Sequence, residues 1–251
     1  MISALFLSLA MAADPAPARQ EWKLDGVARE ALVVEPAKTT EHPPLVFVFH
    51  GHGGTAKHAA EKYAYHKQWA EAVVVYPQGL NTPGKLTDPD GKKTGWQSGP
   101  GDQKDRDLKF VDAMLKSLLA DRAIDPKRVY ASGHSNGGGF TYLLWANRAS
   151  SFAAFAPSAA VTREKLTPMP AMHIAGENDP LVKYDWQKRM LDTVRKVNGC
   201  DADGKPAGKF CTEYASKGGT PVVAYVHPGD HTFPADAPKR IVEFFQQHAK
   251  K

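Results

Sequence analysis

The residues best suited to chemistry lie in Val129-Tyr130-Ala131-Ser132-Gly133-His134-Ser135-Asn136-Gly137-Gly138-Gly139. An apolar, strand-like run enters a Gly-x-Ser-x-Gly pattern, and a helix-like stretch follows over 138–148. A serine on a sharp strand-to-helix turn projects its hydroxyl above the sheet. Side chains two residues to either side would strike the neighbouring elements, so glycine is required there. The turn also aims the next backbone N–H and the positive helix end at the reaction centre. The chemistry predicted is nucleophilic attack by Ser135 on a carbonyl carbon.

A serine hydroxyl needs a base, and the base needs an orienting carboxylate. With this elbow, the acid and then the histidine follow the serine in chain order. Four histidines lie downstream: His173, His227, His231 and His248. His173 falls inside a predicted strand and His248 in a terminal helix. His227 ends a strand, whereas His231 sits on a loop between Gly229 and Pro234 and is the favoured base. Asp179 is the favoured acid, on the turn Gly176-Glu177-Asn178-Asp179-Pro180 that leaves another strand; Glu177 and Asp185 compete with it. Two amides must hold the oxyanion. The Asn136 N–H is one. The loop His50-Gly51-His52-Gly53-Gly54 supplies the other, from His52 or, as the second choice, Gly53. Trp96 and Trp186 are candidates for the substrate pocket, while Trp69 and Trp145 are expected in helices as packing residues.

These groups need a scaffold. Short apolar runs over 32–34, 45–49, 73–76, 129–132, 153–155, 172–175 and 222–226 predict buried strands. Between them, helices are predicted over 107–120, 138–148, 186–197 and 240–248; the first repeats apolar residues at spacings of three and four. Alternating strands and helices imply an α/β fold: a mostly parallel sheet with helices on both faces. Residues 79–104 break the rhythm, being rich in Gly, Pro, Asp and Lys. A loop of that length in a compact domain is functional or disordered.

At 251 residues, 42% hydrophobic and 24% charged, the chain can bury a core and is not of disordered composition. Its formal charge of +5 is scattered rather than gathered in a stripe, which argues against a nucleic-acid partner. No apolar stretch is long enough to span a membrane. Residues 4–9 form an apolar run followed by Ala10-Met11-Ala12, the form of an export signal cleaved after residue 12, although no Lys or Arg precedes the run. Residues 13–251 would then be one catalytic domain, periplasmic or extracellular, and monomeric. The two cysteines, Cys200 and Cys211, predict one structural disulfide in that setting.

The set resembles the α/β-hydrolase fold, and more closely the secreted esterases that include polyhydroxybutyrate depolymerases and feruloyl esterases. The residues that carry the likeness are His50 to Gly54, Tyr76-Pro77-Gln78-Gly79, Trp96, Ile124 to Tyr130, Ser132 to Gly138, Gly176 to Pro180 and the His231 loop. The resemblance implies a Ser-His-Asp triad, no cofactor and a small lid or none. His134 departs from the depolymerase pattern, and no polymer-binding domain is evident. Soluble esters are therefore the expected substrates: short acyl, hydroxyalkanoate oligomer or hydroxycinnamoyl. The rivals are an acyltransferase with the same triad and a non-catalytic binding protein on this fold. A zinc hydrolase is disfavoured because Pro228 and Gly229 interrupt His227 and His231, so no metal is expected. A peptidase would more often carry a recognition domain.

Overall fold

A computed structural model describes residues 15–84 and 86–250; the predicted export signal over 1–12 lies outside the described residues. In the N-terminal half the elements are β1 (Ala18–Leu24), β2 (Val27–Val34), β3 (Leu45–Phe49), α1 (Ala56–Lys62), β4 (Val73–Pro77), β5 (Leu80–Asn81), β6 (Thr94–Gly95) and α2 (Arg106–Asp121). Then come β7 (Val129–His134), α3 (Asn136–Arg148), β8 (Ala154–Ser158), β9 (Ala171–Gly176) and α4 (Tyr184–Val197). The last are β10 (Lys205–Pro206), β11 (Cys211–Tyr214), β12 (Val222–His227) and α5 (Ala237–Gln246).

One ten-stranded sheet runs in the order β1-β2-β4-β3-β7-β8-β9-β12-β11-β10. From β4 to β12 every neighbour is parallel, and the outer strands at each end are antiparallel. The central strands are buried along nearly their whole length because both faces are covered. Leu45, Phe47 and Phe49 of β3 face the core shared with α2, α3 and α4; Val46 and Val48 face the core shared with α1 and α5. The chain adds β4 on one side of β3, then crosses to add β7 on the other. Ligand crevices form at such a reversal, beyond the carboxyl ends of the strands. The His50–Gly54 loop and Ser135 leave those two ends.

Six of the seven apolar runs fall within strands, and the run over 153–155 begins one residue ahead of β8. The elements without such a signal are short or polar. β1 reads ARQEWKL and buries only one face, with Trp22 packed edge-on to Phe110 of α2. α1 has seven residues, capped by the Thr55 hydroxyl, which accepts the His58 N–H at 3.1 Å. Trp69 is buried as expected, but just beyond a short 3-10 turn over 65–67 rather than in a helix.

The expected disulfide is corrected. Cys200 and Cys211 are both free thiols. Cys200 lies across from Ser216, whereas Cys211 bonds with Ala207 and pairs with Tyr225 of β12. Five residues of extended chain from Cys211 to Ser216 span about 17 Å, and a disulfide needs Cα atoms within about 7 Å. The two thiols also serve opposite faces of the sheet. Thiol titration of denatured, unreduced protein should therefore find two reactive groups per chain, and a count of zero would restore the bridge.

Of the four buried histidines, three have strongly shifted rings: His50, His134 and His173. Burial lowers each to about 4, against about 6.5 in an unfolded chain. Between those values the unfolded chain binds more protons than the folded one, so stability falls as pH falls through this window. Carboxylates are still ionised in its upper half. The thermal midpoint should thus drop between about pH 6.5 and 5, and a flat profile there would contradict three neutral buried rings.

Candidate active site

The backbone at Ser135 has φ 57° and ψ −121°, a left-handed turn between β7 and α3. A Cβ at Gly133 would lie 2.4 Å from the Gly137 carbonyl oxygen, and one at Gly137 would lie 2.3 Å from that of Phe49. The glycines of the pattern are sterically obligatory.

Around Ser135 the structure brings together three of the residues singled out from the sequence. Ser135 Oγ donates to His231 Nε2 at 2.7 Å, and His231 Nδ1 donates to Asp179 Oδ2 at 2.7 Å. The Asp179 carboxylate is buried. Its Oδ1 accepts the backbone N–H groups of Leu181 and Val182 at 2.9 and 2.8 Å. Its Oδ2 also accepts from Gln187 Nε2 at 3.1 Å. The loops carrying the acid and the histidine are laced together: Glu177 N–H donates to His227 O and Asn178 N–H to Gly229 O. The competitors are engaged elsewhere. His227 Nδ1 accepts the Gly229 N–H, and Asp185 is exposed in the first turn of α4.

His52 and Asn136 line the same cleft as Ser135, and the backbone N–H of each lies outside the backbone ladders. Asn136 opens α3 ahead of its first intrahelical bond, from Gly139 N–H to Ser135 O, so its own N–H is free of the helix ladder. In the other loop, Gly53 N–H is spent on Thr94 O at 2.7 Å and Gly54 N–H on Gly51 O, which leaves the His52 amide. The side chains of these residues hold the loops. His50 Nδ1 donates to Gly51 O at 2.7 Å, and its Nε2 accepts Gly79 N–H at 3.0 Å. His52 Nε2 lies 3.0 Å from Asp88 Oδ2, and that carboxylate also accepts the Lys92 and Lys93 N–H groups.

Trp96 is corrected. It is fully buried, packed between Phe49 and Phe140, and cannot line a pocket. Its indole N–H donates to His50 O at 2.9 Å. Its backbone is clamped by the Asn136 side chain, whose Oδ1 accepts Trp96 N–H and whose Nδ2 donates to Trp96 O. Trp186 is 39% exposed and lines the cleft above Ser135. That cleft holds about 1040 Å³, and Ser135, His231, His52 and Asn136 are among the residues that line it. Among the described residues six large apolar side chains are exposed, and four of them, Leu86, Val161, Leu181 and Trp186, line this cleft.

Sequence reasoning missed several supporting residues. His134 Nε2 donates to His231 O at 2.9 Å, while its Nδ1 meets the Ser158 hydroxyl at 3.0 Å. Gln97 Oε1 accepts the Asp107 and Leu108 N–H groups, which fixes the loop to the start of α2. The His134 ring beside the nucleophile was a visible oddity; Asp88, Gln97 and Gln187 carry no signal short of the fold.

The family model described as the prolyl oligopeptidase family matches residues 90–171, which include Ser135. Among curated proteins, a bifunctional acetylxylan esterase/xylanase of Neocallimastix patriciarum is 28% identical over 182 residues, 70% of this chain and 25% of that protein. Feruloyl esterase B of Piromyces equi is 25% identical over 237 residues, 81% of this chain and 42% of that one. A probable feruloyl esterase C of Aspergillus clavatus is 27% identical over 62% of this chain and 56% of its own. The chain thus spans a quarter to just over half of these relatives. Among solved structures, the acetyl xylan esterase of Aspergillus awamori superposes with a TM-score of 0.67 at 13% identity, over 91% of this chain and 99% of that one. A ferulic acid esterase of Anaeromyces mucronatus gives 0.59 at 12% identity, over 94% and 92%. With its parallel sheet, its elbow and these matches, the chain has the α/β-hydrolase fold and is similar to feruloyl and acetylxylan esterases.

Proposed function

We propose that the chain is a serine carboxylic-ester hydrolase working through Ser135, His231 and Asp179. The observation that carries this reading is the unbroken row of two 2.7 Å hydrogen bonds from the serine to a buried carboxylate. His231 Nε2 takes the Ser135 proton as Oγ attacks the ester carbonyl. The amides of His52 and Asn136 hold the oxyanion. His231 then gives the proton to the leaving alcohol, and an acyl-enzyme remains. Water repeats the two steps and releases the acid. Asp179 keeps His231 in the Nδ1–H tautomer and stabilises the imidazolium.

Substrates are soluble esters. The apolar rim around Trp186 suits a hydrocarbon or aromatic acyl group, and the names of the curated relatives favour acetyl and feruloyl esters. Residues 13–251 form the catalytic unit, a monomer with no cofactor, exported to the periplasm or the medium by the signal over 1–12.

A fluorophosphonate probe should label Ser135 alone, by peptide mapping, and label nothing in Ser135→Ala. A folded wild type that stays unlabelled would overturn the reading in favour of a binding protein. Asp179→Asn should lower kcat on a short acyl ester by about 10⁴, as loss of the correct tautomer does in other triads. Full activity of that variant would remove Asp179 from its role. Trp186→Ala should raise KM for a feruloyl ester more than for an acetyl ester, and equal changes in the two would place the acyl group elsewhere.

A further inference from the structure

Behind Asp179 the polar groups do not end. Gln187 Nε2 donates to Asp179 Oδ2 at 3.1 Å and to Val182 O at 2.7 Å. Both partners are acceptors, so they fix the amide: its NH₂ faces the acid loop and its Oε1 faces the core. Gln187 is fully buried there. Oε1 and His173 Nε2 are both buried atoms without a partner at hydrogen-bonding distance. The two side chains nonetheless interact, and Gln187 favours the protonated ring of His173 against the opposing effect of burial. On its far side His173 Nδ1 lies 2.7 Å from the hydroxyl of Tyr142, another fully buried side chain.

A buried oxygen and a buried ring nitrogen left unpaired would each cost about 1–3 kcal/mol. The two can satisfy one another only if the nitrogen carries the proton. Val182 and Asp179 have already settled which end of the amide is the acceptor. That pairing requires His173 to be protonated at Nε2, with Nδ1 accepting from Tyr142.

We propose that Gln187 is a positioning residue for the catalytic carboxylate, and that it is itself held by His173 and Tyr142, giving one directed chain Tyr142→His173→Gln187→Asp179. The chain runs from the core between α3 and β9, through α4, to the acid loop. It presents a donor to the carboxylate oxygen that also receives His231, so that oxygen is held in the line His231 needs. Gln187 touches neither substrate nor reacting atoms; it acts through Asp179.

The assignment rests on the triad reading, and the test separates the two. Nitrogen-15 imidazole spectra of the wild type at neutral pH should show His173 neutral, with the proton on Nε2. A ring protonated at Nδ1, or doubly protonated, would overturn the chain, and this result does not depend on ester turnover. Gln187→Met keeps the volume and removes the donor. With thermal unfolding still cooperative, it should lower kcat on a short acyl ester about 10- to 100-fold, the effect of one charge-assisted hydrogen bond. KM should stay within about twofold. The low-field proton resonance of the His231–Asp179 bond should also shift, which reads the positioning without substrate. Unchanged kcat with an unmoved resonance, or a rise in KM alone, would overturn the role. A wild type without esterase activity would sink the proposed function and leave the two spectral readouts standing.

Discussion

Ser135 holds φ 57° and ψ −121°, a backbone state costing a residue with a side chain roughly 1–3 kcal/mol. It persists because its surroundings over-determine it. Gly137 presses against the carbonyl at the end of β3, and Ser135 N–H donates to Ser158 O at the end of β8. The turn is wedged between the strands on either side of β7. That wedge sets the height of the Ser135 hydroxyl above the sheet, and every other group in the site is placed relative to it. The Asn136 amide follows by covalent connection. The loop after β3 follows by contact, since a Cβ at Gly51 would already touch Ser135 Cβ at 3.5 Å.

The polar segment over 79–104 has its physical reason in the same wedge. Loops rich in Gly, Asp and Lys bury little apolar surface, so they order through hydrogen bonds. Here Thr94 O takes the Gly53 amide, the Thr94 hydroxyl donates to Gly54 O at 2.6 Å, and Asp88 meets His52. Each bond ends on the loop that offers the His52 amide. Trp96 then pins the segment from below, with its ring in the core and its backbone on Asn136. One asparagine thus serves both sides: it lines the cleft while its side chain fixes the segment that bonds to the opposite loop. An amide side chain suits the task because it donates and accepts at once, as the Trp96 N–H and C=O require.

What the sequence disclosed follows the range of the interactions concerned. Central strands such as Leu45–Phe49 and Val73–Pro77 were legible because burial on both faces leaves an unbroken apolar run. Ser135 was legible because sterics demand glycines at fixed offsets. The convergence of Asp179 and His231 on Ser135 was legible because each leaves a readable strand on a loop. Trp96 was misjudged because a tryptophan in a polar loop looks exposed, and only the fold shows its ring between Phe49 and Phe140. The cysteines misled for a related reason. A short loop with a turn suggests a hairpin, but its register sets Cys211 beside Ala207 and leaves Cys200 across from Ser216. Register is fixed by pairing with β12, a partner no local reading contains.

The remaining question is why a second histidine sits against His231. His134 precedes the nucleophile, its ring centre 5.1 Å from that of His231, and it donates to the His231 carbonyl. Nucleophile and base are thereby joined through one residue, so a shift of the elbow carries the His231 loop with it. The contact would work against the proposed chemistry if His134 were charged, because His231 becomes an imidazolium when Ser135 attacks. Two cations at that distance in a partly dry site would raise the barrier. Burial, with the neighbouring His231 adding to it, lowers His134 to about 4 and keeps it neutral where the base works. The ring can therefore hold the loop without opposing the charge that the reaction creates beside it.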